Sequence, residues 1–154
     1  TYDYNDKAGR TRGNLGNFIS LPSNQLKSLQ TGFVDMMFKY KGFSFMGEYA
    51  IRGVNDKKPQ ITDDSGNVLA TYYTGSALNL QAGYLFKKNF EFAGRYTKLV
   101  TQNSSVGNDE NQFFLGFSRY FQGHKLKVQT DLGYVQIKGK DDGLVWRTQI
   151  DIHF

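Results

Sequence analysis

A chain of 154 residues has room for one domain of ordinary size, and the absence of cysteine excludes a disulfide framework and thiol chemistry. The net charge of +5 favours anions in general, from lipid headgroups to small solutes. No run approaches the roughly 18 apolar residues of a membrane helix, whereas aromatics at 16% suit both strands and the interfacial girdles of membrane barrels, whose strands turn only every second residue toward lipid.

Residues 1–30 predict a long loop after a partial strand. Tyr2 and Tyr4 form the strand tail, and Gly9, Gly13, Asn14, Gly16 and Leu21-Pro22-Ser23-Asn24 are turn chemistry. Strand candidates then arrive at 31–40 and 42–52, joined tightly by Lys41-Gly42. A polar stretch at 53–75 contains Asp63-Asp64-Ser65-Gly66 and a short apolar patch from Val68 to Tyr73. Further strands are expected at 76–86 and 89–101, then at 111–121 and 124–137, with a closing strand at 143–154.

Each strand alternates, so each has an apolar and a polar face. In the closing strand Leu144, Trp146, Thr148, Ile150, Ile152 and Phe154 oppose Val145, Arg147, Gln149, Asp151 and His153. The same parity puts Lys39, Arg52, Arg95, Lys125, Lys127 and Arg147 on the polar face with Asp35, Glu48, Glu91, Asp131 and Asp151. Roughly ten residues is the length of a tilted membrane-crossing strand. Tight turns at 41–42, 87–89 and 122–123 alternate with longer connections at 53–75, 102–110 and 138–143. Membrane barrels segregate short and long connections in this way, and a soluble meander has no reason to.

The expected fold is therefore all-β, an antiparallel transmembrane barrel with seven strands or an eighth ending near Tyr4. A soluble barrel or sandwich also alternates, with its apolar face inward. Two features favour the membrane. The polar face mixes Asn79, Gln81, Ala93, Gln112, Gly116, Ser118, Gln129 and Gly133 with the charges, and Tyr40, Tyr49, Tyr84, Tyr96, Tyr134 and Trp146 fall at or near the ends of apolar faces. Lining a pore, the basic set lowers the barrier for an anion. Pairing of these charges across adjacent strands would instead only fill the wall. Arg52 and Arg95 are the leading candidates, each placed at a strand end beside a long loop, at the outer mouth. Lys125 and Lys127 fall toward the opposite mouth.

Enzymatic chemistry has little support. The two histidines, His124 and His153, lie in a turn and beside the last residue, and nothing places either beside Ser118 as a base. Two His, no Cys and scattered carboxylates make a poor metal set, Asp63-Asp64 and Asp141-Asp142 being solvated loop tips. No cofactor is implied. Basic residues alternate with acids along strands instead of clustering, which argues against nucleic acid.

The terminal strand, with Trp146, Ile150, Ile152 and a last-residue Phe154, resembles the signal by which the barrel-assembly machinery recognises outer-membrane proteins. Two hairpins, Gln81 to Thr101 (QAGYLFKKNFEFAGRYTKLVT) and Phe117 to Val135 (FSRYFQGHKLKVQTDLGYV), add a second resemblance. From about Gly32 onward their order and spacing resemble the C-terminal half of the phosphate-selective porins of the O/P type. These are trimeric, sixteen-stranded outer-membrane anion channels of Gram-negative bacteria. That resemblance implies a passive porin for small hydrophilic solutes, favouring anions such as phosphate. It implies a homotrimer in contact with outer-membrane lipid and lipopolysaccharide, with the C-terminus in the periplasm. The alternative is a small closed outer-membrane barrel with a structural or partner-binding role and no conductance.

Overall fold

Period-two alternation over long stretches, interrupted by turn residues, produces strands throughout the computed structural model. It describes residues 2–5, 18–21, 28–55, 60–62, 64–102, 107–121 and 126–152. The elements are β1 (Tyr2–Asn5), β2 (Phe18–Leu21), β3 (Leu29–Tyr40), β4 (Phe43–Val54), β5 (Gln60–Thr62), β6 (Val68–Thr71), β7 (Gly75–Phe86), β8 (Phe90–Thr101), β9 (Glu110–Tyr120), β10 (Leu126–Ile137) and β11 (Gly143–Ile152). There is no helix among the described residues. Seven of the strands form one antiparallel sheet in the order β11-β10-β9-β8-β7-β4-β3. This sheet is open, with β3 and β11 at its edges.

Two corrections to the sequence reading concern the expected loops. Within 1–30, β1 pairs antiparallel with β2, Tyr2 opposite Leu21 and Asn5 opposite Phe18. Within 53–75, β5 pairs with β6, Ile61 opposite Ala70, with a register shift between Ile61 and Thr62. Both hairpins use strands too short to show a period above the surrounding polar residues.

Residues fall into two compact units. One gathers 33–49, 77–100 and 108–154 and carries the body of the sheet. Its tight turns follow from local chemistry. Lys41 and Gly42 both have positive φ, 45° and 89°, the pairing that a two-residue hairpin of type I′ requires. Gly42 is needed there for a second reason: a Cβ would sit 2.5 Å from the Leu85 carbonyl oxygen. Asn89, at φ 59°, supplies the left-handed residue of the Lys87-Lys88-Asn89 turn.

Register aligns the faces across strands. Leu132 stands opposite Leu115 in β9 and Trp146 in β11, and Leu115 stands opposite Gly94 in β8. The next row is Tyr96, Phe113, Tyr134 and Leu144. Over these two rows one face is thus apolar across four strands, and it is not covered: Leu115 is 73% exposed, Leu144 and Trp146 77% each, and Leu132 56%. Thr130 lies on this face, and its hydroxyl accepts a 2.8 Å hydrogen bond from Trp146 Nε1. Trp146 lies one row inside the aromatic row of Tyr96, Phe113 and Tyr134, not at the strand end.

The other unit gathers the described residues of 1–32, 50–76 and 101–107. It packs in the opposite manner. Val54, Ile61 and Tyr72 form a small buried core, Ile61 fully enclosed, with Leu29 packed against it. Burial pushes the Tyr72 phenol above its usual range. Asn55 ties the unit locally, its Oδ1 accepting from the Ser28 amide at 3.2 Å while its own amide donates to the Ser28 carbonyl at 3.2 Å.

Candidate functional site

The polar face of the sheet body holds the concentration of chemistry. At its centre is Phe114, the one buried hydrophobic residue of this unit among the described residues. Parity puts Phe114 on the polar face, beside residues that would otherwise be solvated. Gly133 explains how it fits: the two are register partners across β9 and β10, and the ring occupies the space a Gly133 side chain would fill. An aromatic ring laid over a glycine on a neighbouring strand fills the gap and covers the backbone.

Two guanidiniums meet this ring. Arg95, from β8, has Cζ 4.8 Å from the ring centroid, and Arg147, from β11, has Cζ 4.7 Å away. Both distances suit a cation–π contact. Arg147 is also held by Asp131, its register partner on β10: Nε and Nη2 donate to Asp131 Oδ2 at 2.8 and 2.6 Å. Charge-assisted bonds of this kind fix the guanidinium plane. Arg95 has no such partner, and its Nε is buried without a hydrogen-bond acceptor among the described residues. A cavity of about 100 Å³ opens here, lined by Gln81, Arg95, Phe114, Gln129, Asp131 and Arg147. Two cations against one carboxylate leave it positive.

Around this centre the wall is fixed by hydrogen bonds. Asn79 bridges three strands: its Nδ2 donates to Glu48 at 2.8 Å, and its Oδ1 accepts from Thr97 at 3.2 Å. Glu91 accepts from the Tyr120 hydroxyl at 2.7 Å, and Lys127 Nζ lies 5.3 Å from the centre of the Tyr120 ring. Asp151 accepts from Gln149 at 2.6 Å. Asp35 and Lys39 are exposed on the edge strand β3.

The structure therefore brings Arg95, Asp131 and Arg147 together and distributes the rest. Arg95 departs from its expected position: it lies in the middle of β8, not at a strand end beside a loop. Arg52 belongs to the other unit, where its Nε donates to Thr31 Oγ1 at 3.0 Å. Lys125, His124, His153 and Phe154 lie outside the described residues. Trp146, Ile150 and Ile152 all sit on the exposed apolar face of β11. Sequence reasoning passed over Phe114. The available signal was a large aromatic at a polar-face position, with a glycine at the matching position of the next strand.

No cluster of three or more metal-ligating side chains occurs among the described residues. No family model matches the chain, and neither a curated protein nor a solved structure matches it at a significant level.

Proposed function

We propose that this chain forms part of the wall of a porin, a passive diffusion channel of a bacterial outer membrane, passing small hydrophilic solutes with a preference for anions such as phosphate. The observation that carries the proposal is inverted burial in the sheet body. Its aligned apolar face is exposed, while the one hydrophobic residue buried in it among the described residues, Phe114, lies on the polar face. A water-soluble sheet covers its apolar face. A membrane barrel turns that face to lipid and keeps a polar interior.

In this reading the face with Glu48, Asn79, Thr97, Arg95, Asp131 and Arg147 lines an aqueous lumen. Side chains held by mutual hydrogen bonds keep the bore from collapsing. Positive groups replace part of an anion's hydration shell as it passes. Neither a cofactor nor a covalent step is involved. The row Tyr96, Phe113 and Tyr134 sits at the membrane interface, where amphipathic rings are favoured. Beyond it, along the same face, come Lys98, Asn111 and Gln136, polar groups suited to the headgroup layer. The aligned Trp146, Ile150 and Ile152 of β11 serve as the recognition surface for the barrel-assembly machinery.

Open edges are not tolerated in hydrocarbon, because each unpaired backbone group there costs several kcal/mol. Further strands therefore complete the wall by pairing with β3 and β11, and such channels assemble as homotrimers in contact with lipopolysaccharide.

Planar-bilayer recording tests the proposal. The protein is expected to form ohmic channels whose reversal potential in a KCl gradient has the sign of anion preference. Cation preference would remove the anion assignment. Persistent absence of conductance would favour a closed, non-conducting barrel.

A further inference from the structure

We propose that the tight-turn end of the sheet body is a binding site for an anionic phospholipid of the phosphatidylglycerol class. Lys41, Lys87, Lys88 and Arg119 hold its phosphate, and its chains lie on the aromatic cluster beside them. The site rests on the channel reading only in that the apolar face meets lipid; it does not depend on conduction.

The cations stand at a boundary. Arg119 belongs to the apolar face: its register partners are Phe90 on β8 and Val128 on β10, one row beyond Phe92, Phe117 and Thr130. A charge on a lipid-facing surface is tolerated near the membrane edge, where a long side chain reaches the headgroups. The printed partners of Arg119 are neutral. Its Nη1 donates to the Lys88 carbonyl at 2.6 Å, and its Cζ lies 5.8 Å from the centre of the Phe121 ring. Lys41, Lys87 and Lys88 occupy the adjoining turns, and all three are exposed. Backbone hydrogen bonds join these turns into one rim. The Leu85 amide donates to the Gly42 carbonyl at 2.8 Å, and the Tyr120 amide to the Asn89 carbonyl at 2.9 Å.

The rim carries charge of one sign. None of the four cations makes an ion pair among the described residues. The acids nearest this end, Glu91 and Asp151, lie on the polar face, where they accept from Tyr120 and Gln149. The opposite end of the sheet differs. There Lys98, Lys138 and Lys140 are mixed with Asp109 and Asp142 around one cavity. Lys138 Nζ lies 3.6 Å from Asp109, and the Tyr134 hydroxyl donates to Asp142. An unopposed basic cluster at a membrane surface attracts anionic lipid, and the planar donors of Arg119 suit phosphate oxygens.

The adjoining surface selects an amphiphile over a free anion. Phe86 and Phe90 stack at 4.7 Å, Tyr84 meets Phe86 edge-on at 4.8 Å, and Phe92 lies 5.1 Å from Phe117. Phe92 and Phe117 are exposed. Aromatic rings at the membrane interface lie at the level of the headgroups and the first methylenes. Such a shelf beside the cations adds binding surface for a lipid and none for inorganic phosphate.

The experiment uses the full chain in phosphatidylcholine vesicles with spin-labelled lipids, whose electron paramagnetic resonance spectra resolve a motionally restricted, protein-bound component. Wild type is expected to hold labelled phosphatidylglycerol several-fold more tightly than labelled phosphatidylcholine, and salt should reduce the preference. Arg119→Gln, and Lys87→Gln combined with Lys88→Gln, should each move the preference toward equality. Arg119→Lys should keep most of it. Lys98→Gln combined with Lys140→Gln makes the same net-charge change as the Lys87, Lys88 pair, at the other end of the sheet, and should leave the preference unchanged. Restricted phosphatidylcholine in every variant certifies insertion. Three results would overturn the proposal: no preference in wild type, an equal loss in the Lys98, Lys140 variant, or displacement of the label by soluble glycerol phosphate. Absence of restricted lipid of either kind removes the membrane assignment together with the site, whereas restriction without preference removes the site alone.

Discussion

Ile61 and Leu115 are both aliphatic strand residues, and they meet opposite surroundings. Ile61 is fully buried, enclosed with Val54 and Tyr72 in the small hairpin unit. Leu115 is 73% exposed at the centre of an apolar face four strands wide. The hairpin unit is built as soluble domains are, with apolar side chains turned away from water. The sheet body is built the other way, with polar groups bonded to one another on one face and apolar groups left facing out. Under the proposed channel reading the two patterns answer to two solvents, and the strands of the sheet body are the part that meets hydrocarbon.

Substitution at the two aliphatic residues breaks the comparison most directly. Ile61→Ala leaves a void in a core of few residues, and about 2–5 kcal/mol is the usual cost of such a truncation. The loss should appear locally, as faster hydrogen exchange over 60–71 with the sheet amides unchanged. Leu115→Lys puts a charge on the face assigned to lipid, where about 2–4 kcal/mol is expected near the bilayer midplane. Urea unfolding of vesicle-folded protein would register it. A neutral result at this exposed position would mean that water, not lipid, covers the face.

A third substitution sharpens the contrast between the two faces. Gly133→Ala puts a methyl group where the Phe114 ring lies, an overpacking worth about 1–3 kcal/mol. The double variant Phe114→Ala, Gly133→Ala should cost less than the sum of the single changes, a coupling that equilibrium unfolding of all four proteins would measure. The smallest effect concerns pH. Burial disfavours the charged form of the Tyr72 phenol, so its folded pKa lies above the unfolded one. The hairpin core should therefore keep its full stability below the ordinary phenol pKa and lose some as pH rises through it. Hydrogen exchange in the hairpin across that alkaline range would detect the decline, and Tyr72→Phe should abolish it.

The strands of the sheet were legible because a period of two survives over ten or more residues. The expected segments 76–86 and 89–101, for example, stand beside the observed Gly75–Phe86 and Phe90–Thr101. The tight turns were legible from Lys41-Gly42 and Lys87-Lys88-Asn89. The hairpin of β5 and β6 was not, because Gln60-Ile61-Thr62 offers one apolar residue and no period. Its partner appeared only as an apolar patch from Val68 to Tyr73. The polar-face cluster was half legible. Parity put Arg95, Asp131 and Arg147 on one face, but parity within a strand does not give the register between strands. Register is what sets Asp131 beside Arg147 and Phe114 over Gly133. Arg95 was misplaced along β8 for a different reason. The expected strand 89–101 and the observed Phe90–Thr101 both put Arg95 in mid-strand, so its assignment to a strand end did not follow from the strand's own bounds.

The central claim is that the exposed face of the sheet meets lipid, and Trp146 is the natural reporter, being the only tryptophan in the chain. It stands on that face with 77% of its surface open. The decisive measurement is its fluorescence in vesicles of phospholipid brominated along the acyl chains, compared with quenching by aqueous iodide. Strong quenching by the brominated chains with little by iodide is the result the account predicts. Quenching by iodide with none from the brominated chains would contradict it.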